Sequence, residues 1–224
     1  MNRDIIAYYD QLAPAYDEDR FGNSYGRFID AGERRILTRW LSGRRDVLEI
    51  ACGTGRFSSF ARVASDASVE SLRVARNRHP ALAFVCADAA RLPFDDASFD
   101  AVFGFHLLMH LDAQALAATI GEASRVLRRD GVLIIDVLSG LRRKLRPRPA
   151  RAQAWHGRTA LSISAFRALG ARHGLRLERI DGLMFLPVQR LPDWLRPRMA
   201  MIDRALCTAM PSLSSSLIGC FVKA

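Results

Sequence analysis

Glu49, Asp66 and Asp88 each close a short apolar segment, and the first segment runs directly into a glycine turn, Val47-Leu48-Glu49-Ile50-Ala51-Cys52-Gly53-Thr54-Gly55. Glycines at 53 and 55 let the backbone approach a bound ligand and adopt angles that a Cβ opposes. Asp66 stands 17 residues after Glu49, at the end of the second segment, where a carboxylate can accept both hydroxyls of a ribose. Asp88, in Cys86-Ala87-Asp88-Ala89, can pair with a neighbouring backbone amide to read an adenine edge. Any one of these acids also suits a helix cap. Three of them at neighbouring strand ends would surround one adenosine. Gly-x-Gly alone does not separate a dinucleotide from other adenosine cofactors; the acids carry that choice.

The elements that must position these groups follow from the apolar pattern. Strands are expected at 46–51, 62–65, 83–87, 99–105 and 131–138, with helices at 69–78 and 112–128. Their alternation predicts an α/β fold: a parallel sheet with helices on both faces. Asp112 can cap the second helix, whose Leu116, Ile120, Ala123 and Leu127 form one stripe, and Asp130-Gly131 is read as the turn into the next strand. Ser164 is expected to open a helix ending at Gly174, followed by strands near 175–180 and 216–222. Tyr9, Ala13 and Tyr16 follow helical spacing, and 182–211 reads as irregular and rich in Leu, Met, Trp and Pro.

With 224 residues, half of them hydrophobic, the chain can bury one sizeable core, so a single unit is expected over 1–224. Cys52, Cys86, Cys207 and Cys220 have neither disulfide-framework nor zinc-ligand spacing, and no apolar run approaches the ~18 residues of a membrane span. A reducing, cytoplasmic setting is the expectation. The net charge of +10 comes almost wholly from arginine. Arg142, Arg143, Lys144, Arg146, Arg148 and Arg151, broken by Pro147 and Pro149, read as a basic loop.

Taken together, these segments resemble the class I S-adenosylmethionine-dependent methyltransferases, in particular small-molecule enzymes of the ubiquinone and menaquinone biosynthesis type. Tyr9 to Asp17 with Arg20 resembles the family's N-terminal lid, Val47 to Gly55 its first motif, Asp66-Ala67-Ser68 its ribose motif, and Asp88-Ala89 with Leu92-Pro93-Phe94 its adenine motif. Ser98 to Asp112 and Val126 to Leu133 resemble its fourth- and fifth-strand motifs, so the likeness covers about 8–138. It implies a Rossmann-like, seven-stranded, mostly parallel sheet, with a helical lid over 1–44, a cofactor core over 45–138, basic and acceptor-side elements forming a small helical or irregular cap over 139–215, and a last strand over 216–224. It implies S-adenosyl-L-methionine as cofactor, with S-adenosyl-L-homocysteine as product. Glu49 would hold the methionine amino group, with Ala51, Gly53 and Gly55 beside the cofactor. Asp66 and Ala67 would take the ribose, Asp88 and Ala89 the adenine, and Tyr16, Arg20 and Phe105 the lid and cleft walls. One departure stands out. Only ten residues separate Gly55 from Asp66, about six fewer than the family's usual spacing, which shortens the first crossover helix by ~9 Å.

Methyl transfer from a sulfonium needs alignment and exclusion of water, with no obligatory metal. If the acceptor is a hydroxyl or acidic carbon, His106, just past the fourth strand, is the candidate base. His106 and His110 have i, i+4 spacing, but Leu107-Leu108-Met109 between them lacks the glutamate of zinc proteases. Met184, Phe185, Trp194, Met199 and Met201, interspersed with Arg190, Arg196 and Arg198, suit an apolar acceptor with a phenolic or acidic group, or peripheral contact with anionic lipid. Three rivals remain: a nicotinamide enzyme, disfavoured by Ser58 where its third glycine belongs; a nucleic-acid methyltransferase, which the charge alone motivates; and a binding protein without turnover. Oligomeric state is left open.

Overall fold

The computed structural model describes residues 3–146 and 155–224. Strands β1 (Val47–Ile50), β2 (Val63–Asp66), β3 (Ala83–Cys86), β4 (Phe99–Gly104), β5 (Leu127–Ser139), β7 (Leu175–Leu183) and β8 (Ser216–Lys223) lie in the order β3-β2-β1-β4-β5-β8-β7. The pairs from β3 to β5 are parallel, and β8 runs antiparallel to both β5 and β7. An eighth, two-residue strand, β6 (Ala160–Leu161), extends the expected seven by pairing with the end of β5.

Alternation along the central strands divides the core into two layers, because successive side chains leave opposite faces of a strand. Leu48, Ile50, Val102, Leu133 and Ile135 face α5 (Ala113–Val126) and α7 (Ile163–Ala171). Val47, Ala101, Phe103, Val132 and Ile134 face Ile29, Ile36, Leu37 and Trp40 of α3 (Ser24–Trp40). Both faces are covered, so the strands read as continuous apolar runs.

Asp112 caps α5 as expected, accepting the Ala115 N–H at 2.9 Å. The helix ends earlier than its stripe suggested. Leu127 already pairs with Phe99, and Asp130-Gly131 falls within β5 instead of preceding it, with Asp130 at φ +60°. Arg128 holds this early part of the strand through Asp100 at 2.6 Å and Asp46 at 2.8 Å, contacts that no periodicity discloses. Ser162, not Ser164, caps α7. The basic stretch is also partly helical: Ser139 caps α6 (Gly140–Leu145), which carries Arg142, Arg143 and Lys144, while Arg148 and Arg151 lie outside the described residues. Within 182–211 the chain forms α8 (Arg196–Ala209), with Pro197 in its first turn, where a missing N–H costs nothing.

The expected shortening of the first crossover is present. Between β1 and β2 there is only a 3₁₀ turn, Ser58–Phe60. After β2 the next crossover carries a regular helix, α4 (Val69–Arg78), capped by Ser68. Ahead of the sheet, α1 (Arg3–Leu12) and α2 (Tyr16–Phe21) are two helices, not one continuous run through Tyr9 and Tyr16.

Candidate active site

Ile50 ends β1, and Ala51, Gly53 and Gly55 then take positive φ, at 51°, 54° and 79°. The two glycines serve different ends. An added Cβ at Gly53 would meet nothing within 4 Å, whereas at Gly55 it would come within 3.0 Å of the Ala75 Cβ on α4. Gly53 therefore opens toward a cleft, and Gly55 lets α4 pack against the turn. Ala51 holds the same left-handed region with a side chain, which costs an L-residue roughly 1–2 kcal/mol.

The cleft encloses about 850 Å³, part of it open to solvent, and its walls include Glu49, Ala51, Gly53, Asp66, Phe105 and His106 beneath Tyr16. Adjacent parallel strands bring the acids together: Glu49 is in register with Ala64, and Asp66 with Cys86. Glu49 is buried and accepts the Ser58 hydroxyl at 2.6 Å. Burial raises its pKa to about 8, against the opposing pull of Ser58 and Arg56, so its neutral form persists well above the ordinary carboxylate range. Asp66 accepts the Gly53 N–H at 2.7 Å and the Ser68 N–H at 2.8 Å. Burial raises its pKa too, partly countered by those backbone donors. Its carboxylate thus ties the glycine turn to the start of α4 while it lines the cleft.

Other expected residues lie outside this wall. Ala67 and Gly55 are not part of that wall, and Arg20 is exposed on α2 with its guanidinium 5.7 Å from the Tyr16 ring centroid. Asp88 stands just past β3, next to the Asp66 strand end, and accepts the Ala90 N–H at 2.9 Å; Ala89 packs into the core. Described residues of 139–215 contribute nothing to the cleft wall; Trp155 and His156 instead join Tyr8, Tyr9 and His110 in an aromatic cluster above it.

Beside His106 lies a charge network that motif reading did not find. His106 takes φ +60° just after β4, its N–H donates to Asp136 at 2.7 Å, and its Nε2 is 2.7 Å from Glu33. Glu33 also receives Arg56 at 2.8 Å, and Arg56 reaches Asp30 at 3.0 Å. Burial favours neutral Glu33, but His106 and Arg56 outweigh it and hold its pKa below the ordinary value. Burial likewise opposes protonation of His106, yet Glu33 prevails and raises its pKa; Asp136 is pushed up by burial. Two of these acids did leave a signal. Glu33 interrupts the Ile29, Ile36 and Trp40 stripe of α3, and Asp136 interrupts the apolar run from Val132 to Leu138 in a buried strand.

The N-terminal helices α1 and α2 are fastened beside the cleft. Asp17 accepts the Thr54 hydroxyl at 2.9 Å and pairs with Arg78, Asp10 accepts the Ser68 hydroxyl at 2.6 Å, and the Tyr9 hydroxyl meets His110 Nε2 at 3.0 Å. Among the described residues there is no cluster of three or more His, Cys, Asp or Glu able to hold a metal, and no helix long and apolar enough to cross a membrane.

Residues 48–135, from β1 into β5, match the family described as a methyltransferase domain. A demethylmenaquinone methyltransferase of Beutenbergia cavernae is 34% identical over 147 residues, which are 61% of this chain and 58% of that protein. A malonyl-[acyl-carrier protein] O-methyltransferase of Pectobacterium atrosepticum is 30% identical over 141 residues, 58% of this chain and 55% of that protein. The match thus spans under two thirds of these relatives' length. Among solved structures, a Thermotoga maritima S-adenosylmethionine-dependent methyltransferase superposes with TM-score 0.70 at 17% identity, covering 96% of this chain and 98% of that one, which establishes the shared fold. Residues 48–135 of this chain thus resemble a methyltransferase domain, carried on a fold shared with S-adenosylmethionine-dependent methyltransferases.

Proposed function

We propose that the protein transfers a methyl group from S-adenosyl-L-methionine to a small organic acceptor, at oxygen or carbon. The observation that carries this reading is the buried Glu49 carboxyl, held beside the open side of Gly53 and the half-buried Asp66 in one cleft. A cationic ammonium with a neighbouring diol fits that donor set, since Glu49 gains its charge when a cation enters and Asp66 keeps lone pairs beyond its two backbone bonds. When bound, the cofactor supplies an electrophilic methyl group. Glu49 and Gly53 would orient its amino-acid end, and Asp66 its ribose. Ala67 would lie beside the ribose, Asp88 and Ala89 beside the adenine, and Gly55 in the turn that supports them, with Arg20 reaching in from the N-terminal helices.

The chain's own part in catalysis is positioning and exclusion of water. Tyr9 and Tyr16 roof the cleft, while Phe105, Leu107 and Leu111 give an apolar wall to an acceptor. Glu33 takes the Nε2 side of His106 and fixes its ring. Nδ1 then remains to receive an acceptor proton. Because its pKa is raised, His106 is a base only in the upper part of the pH range, so activity should climb through an apparent pKa above 6.5. Named relatives include both a C-methyltransferase and an O-methyltransferase, and an apolar phenolic or acidic molecule fits either chemistry. Four free cysteines agree with a cytoplasmic setting.

Calorimetric titration with S-adenosyl-L-methionine, S-adenosyl-L-homocysteine and reduced nicotinamide dinucleotide tests the cofactor, and isotope-labelled methyl donor with an untargeted acceptor library tests the transfer. Binding of the first two alone is expected, with Asp66→Ala weakening it at least 100-fold. Unchanged affinity in that variant would sink the ribose assignment.

A further inference from the structure

A second groove lies on the other side of α3, between that helix, α8 and the end of β7. Glu33 binds Arg56 and His106 of the cleft wall, whereas Phe28, Ala31, Gly32 and Arg35 line the groove, so one helix separates the two sites. The groove encloses about 1380 Å³ open to solvent, and its apolar side is built by Phe28, Ala31, Leu183, Pro197, Ala200 and Met201. Gly32 sets its floor, since a Cβ there would come within 2.8 Å of Leu183 Cδ1.

At one end stand Arg35 and Arg204, close enough for Arg204 to depress the Arg35 pKa, after burial as the larger influence. Among the described residues neither guanidinium has an ion pair or hydrogen bond. The acids around them are engaged elsewhere. Asp181 accepts Arg39 at 3.1 Å and the Thr208 hydroxyl at 3.1 Å, Asp203 accepts the Leu186 N–H at 2.7 Å, and Asp193 pairs with Arg196 at 2.6 Å. Asp181 offsets part of the Arg35 charge from a distance, but neither guanidinium has a direct acidic partner among the described residues, so two adjacent like charges, one half-buried, offer planar donors to an oxyanion that would relieve their repulsion. From Arg35 back to Phe28 the face of α3 runs seven residues, ~10 Å of apolar wall at 1.5 Å per residue.

We propose that this groove binds a single-chain anionic amphiphile, its carboxylate or phosphate held between Arg35 and Arg204 and its alkyl chain laid between α3 and α8. The site is independent of the methyl-transfer reading and would stand if that reading failed. Charge complementarity selects the head group, and the continuous wall from Ala31 to Phe28 and Met201 selects the chain.

The test uses the full chain with decanoate and decyl phosphate below their micellar concentrations, decanol, inorganic phosphate, and vesicles of phosphatidylglycerol, followed by calorimetry or vesicle sedimentation. Saturable one-to-one binding of the two charged amphiphiles is expected, at least tenfold tighter than decanol or phosphate. R35Q/R204Q should weaken it at least tenfold. Ala200→Trp, which fills the groove and keeps both charges, should do the same, with thermal melting and circular dichroism confirming that each variant is folded. Equal affinity for inorganic phosphate would reduce the site to a simple anion site and overturn the proposal. Binding to vesicles without binding to monomeric amphiphile would overturn it in favour of a membrane-docking face. Indifference to both variants would place the ligand elsewhere.

Discussion

Between β1 and β2 the chain makes one 3₁₀ turn in residues 51–62, whereas between β2 and β3 it makes a ten-residue helix in residues 67–82. The second crossover is held by ordinary means. Ser68 caps α4, and Leu72 and Ala75 bury its inner face beside Ala64 of β2. The first has no helical face to bury, and side chains reaching across from the N-terminal segment take that place. Phe57 lies under the guanidiniums of Arg56, at 3.8 Å, and Arg34, at 5.2 Å; Arg56 is anchored on Glu33 and Asp30 of α3; and Ser58 holds Glu49. A shortened crossover thus makes α3 part of the site. The same carboxylate that supports the turn, Glu33, also holds His106, the proposed base, so the turn and that histidine share one network.

Breaking that network should show the largest contrast. Glu33→Gln leaves Arg56 and His106 facing a neutral group inside the protein, and loss of one partner from a buried ion pair costs about 3 kcal/mol or more. For a chain of this size the melting temperature should fall by roughly 6 °C or more. An unchanged melting temperature would mean that the first crossover stands without α3. The next effect is pH dependence. Glu49 has its pKa raised to about 8 from an ordinary 4.5, so the native state binds a proton that the unfolded chain releases. Its contribution is full below pH 4.5 and is lost as pH rises through about 8. His106, also raised, contributes in the same direction, losing its share above its ordinary 6.5. Melting temperature should fall by several degrees between pH 5 and 8.5, and Glu49→Gln should flatten the slope. S-adenosyl-L-methionine binding should release protons near neutrality, a quantity read from calorimetry in buffers of different ionisation heat.

The difference between the crossovers also marks what could be read from residues alone. The strands of the sheet, α4 and the Asp112 cap follow from local pattern, since each depends on spacing within a dozen residues. So does the turn at Gly53, because the φ it needs is a property of one residue. The shortness of the first crossover was visible as a count, but its repair was not, because Arg56 to Glu33 and His106 to Glu33 join residues 23 and 73 positions apart. Long-range pairs leave only indirect marks, such as a carboxylate on an apolar stripe. The boundary between α5 and β5 was misplaced for a related reason: Leu127 suits a helical stripe and a buried strand equally, and pairing with Phe99 decides between them.

On the second crossover the expected losses are small. Ser68→Ala removes the acceptor for the Ser71 N–H at 3.0 Å, and with it the Asp10 bond to the lid. Loss of such a cap costs about 1 kcal/mol, so a drop of roughly 2–4 °C is expected, well below that of Glu33→Gln. A drop as large as that of Glu33→Gln would erase the distinction between a helix that stands by its own cap and a turn that depends on its neighbours.

The smallest effect should have the opposite sign. Ala51 occupies φ +51° at the mouth of the turn, where glycine carries no steric cost. Ala51→Gly relieves roughly 1–2 kcal/mol of backbone strain but gives back about 0.5–1 kcal/mol through the greater freedom of the unfolded chain. A net gain of up to about 1 kcal/mol is expected, read as a rise of about 2–3 °C in melting temperature. Should the variant instead lose stability, the methyl group of Ala51 must contribute packing that outweighs its strain, since the residue packs against the core layer that holds Leu48 and Ile50. The glycine turn would then be held from below by that layer as well as from the side by α3.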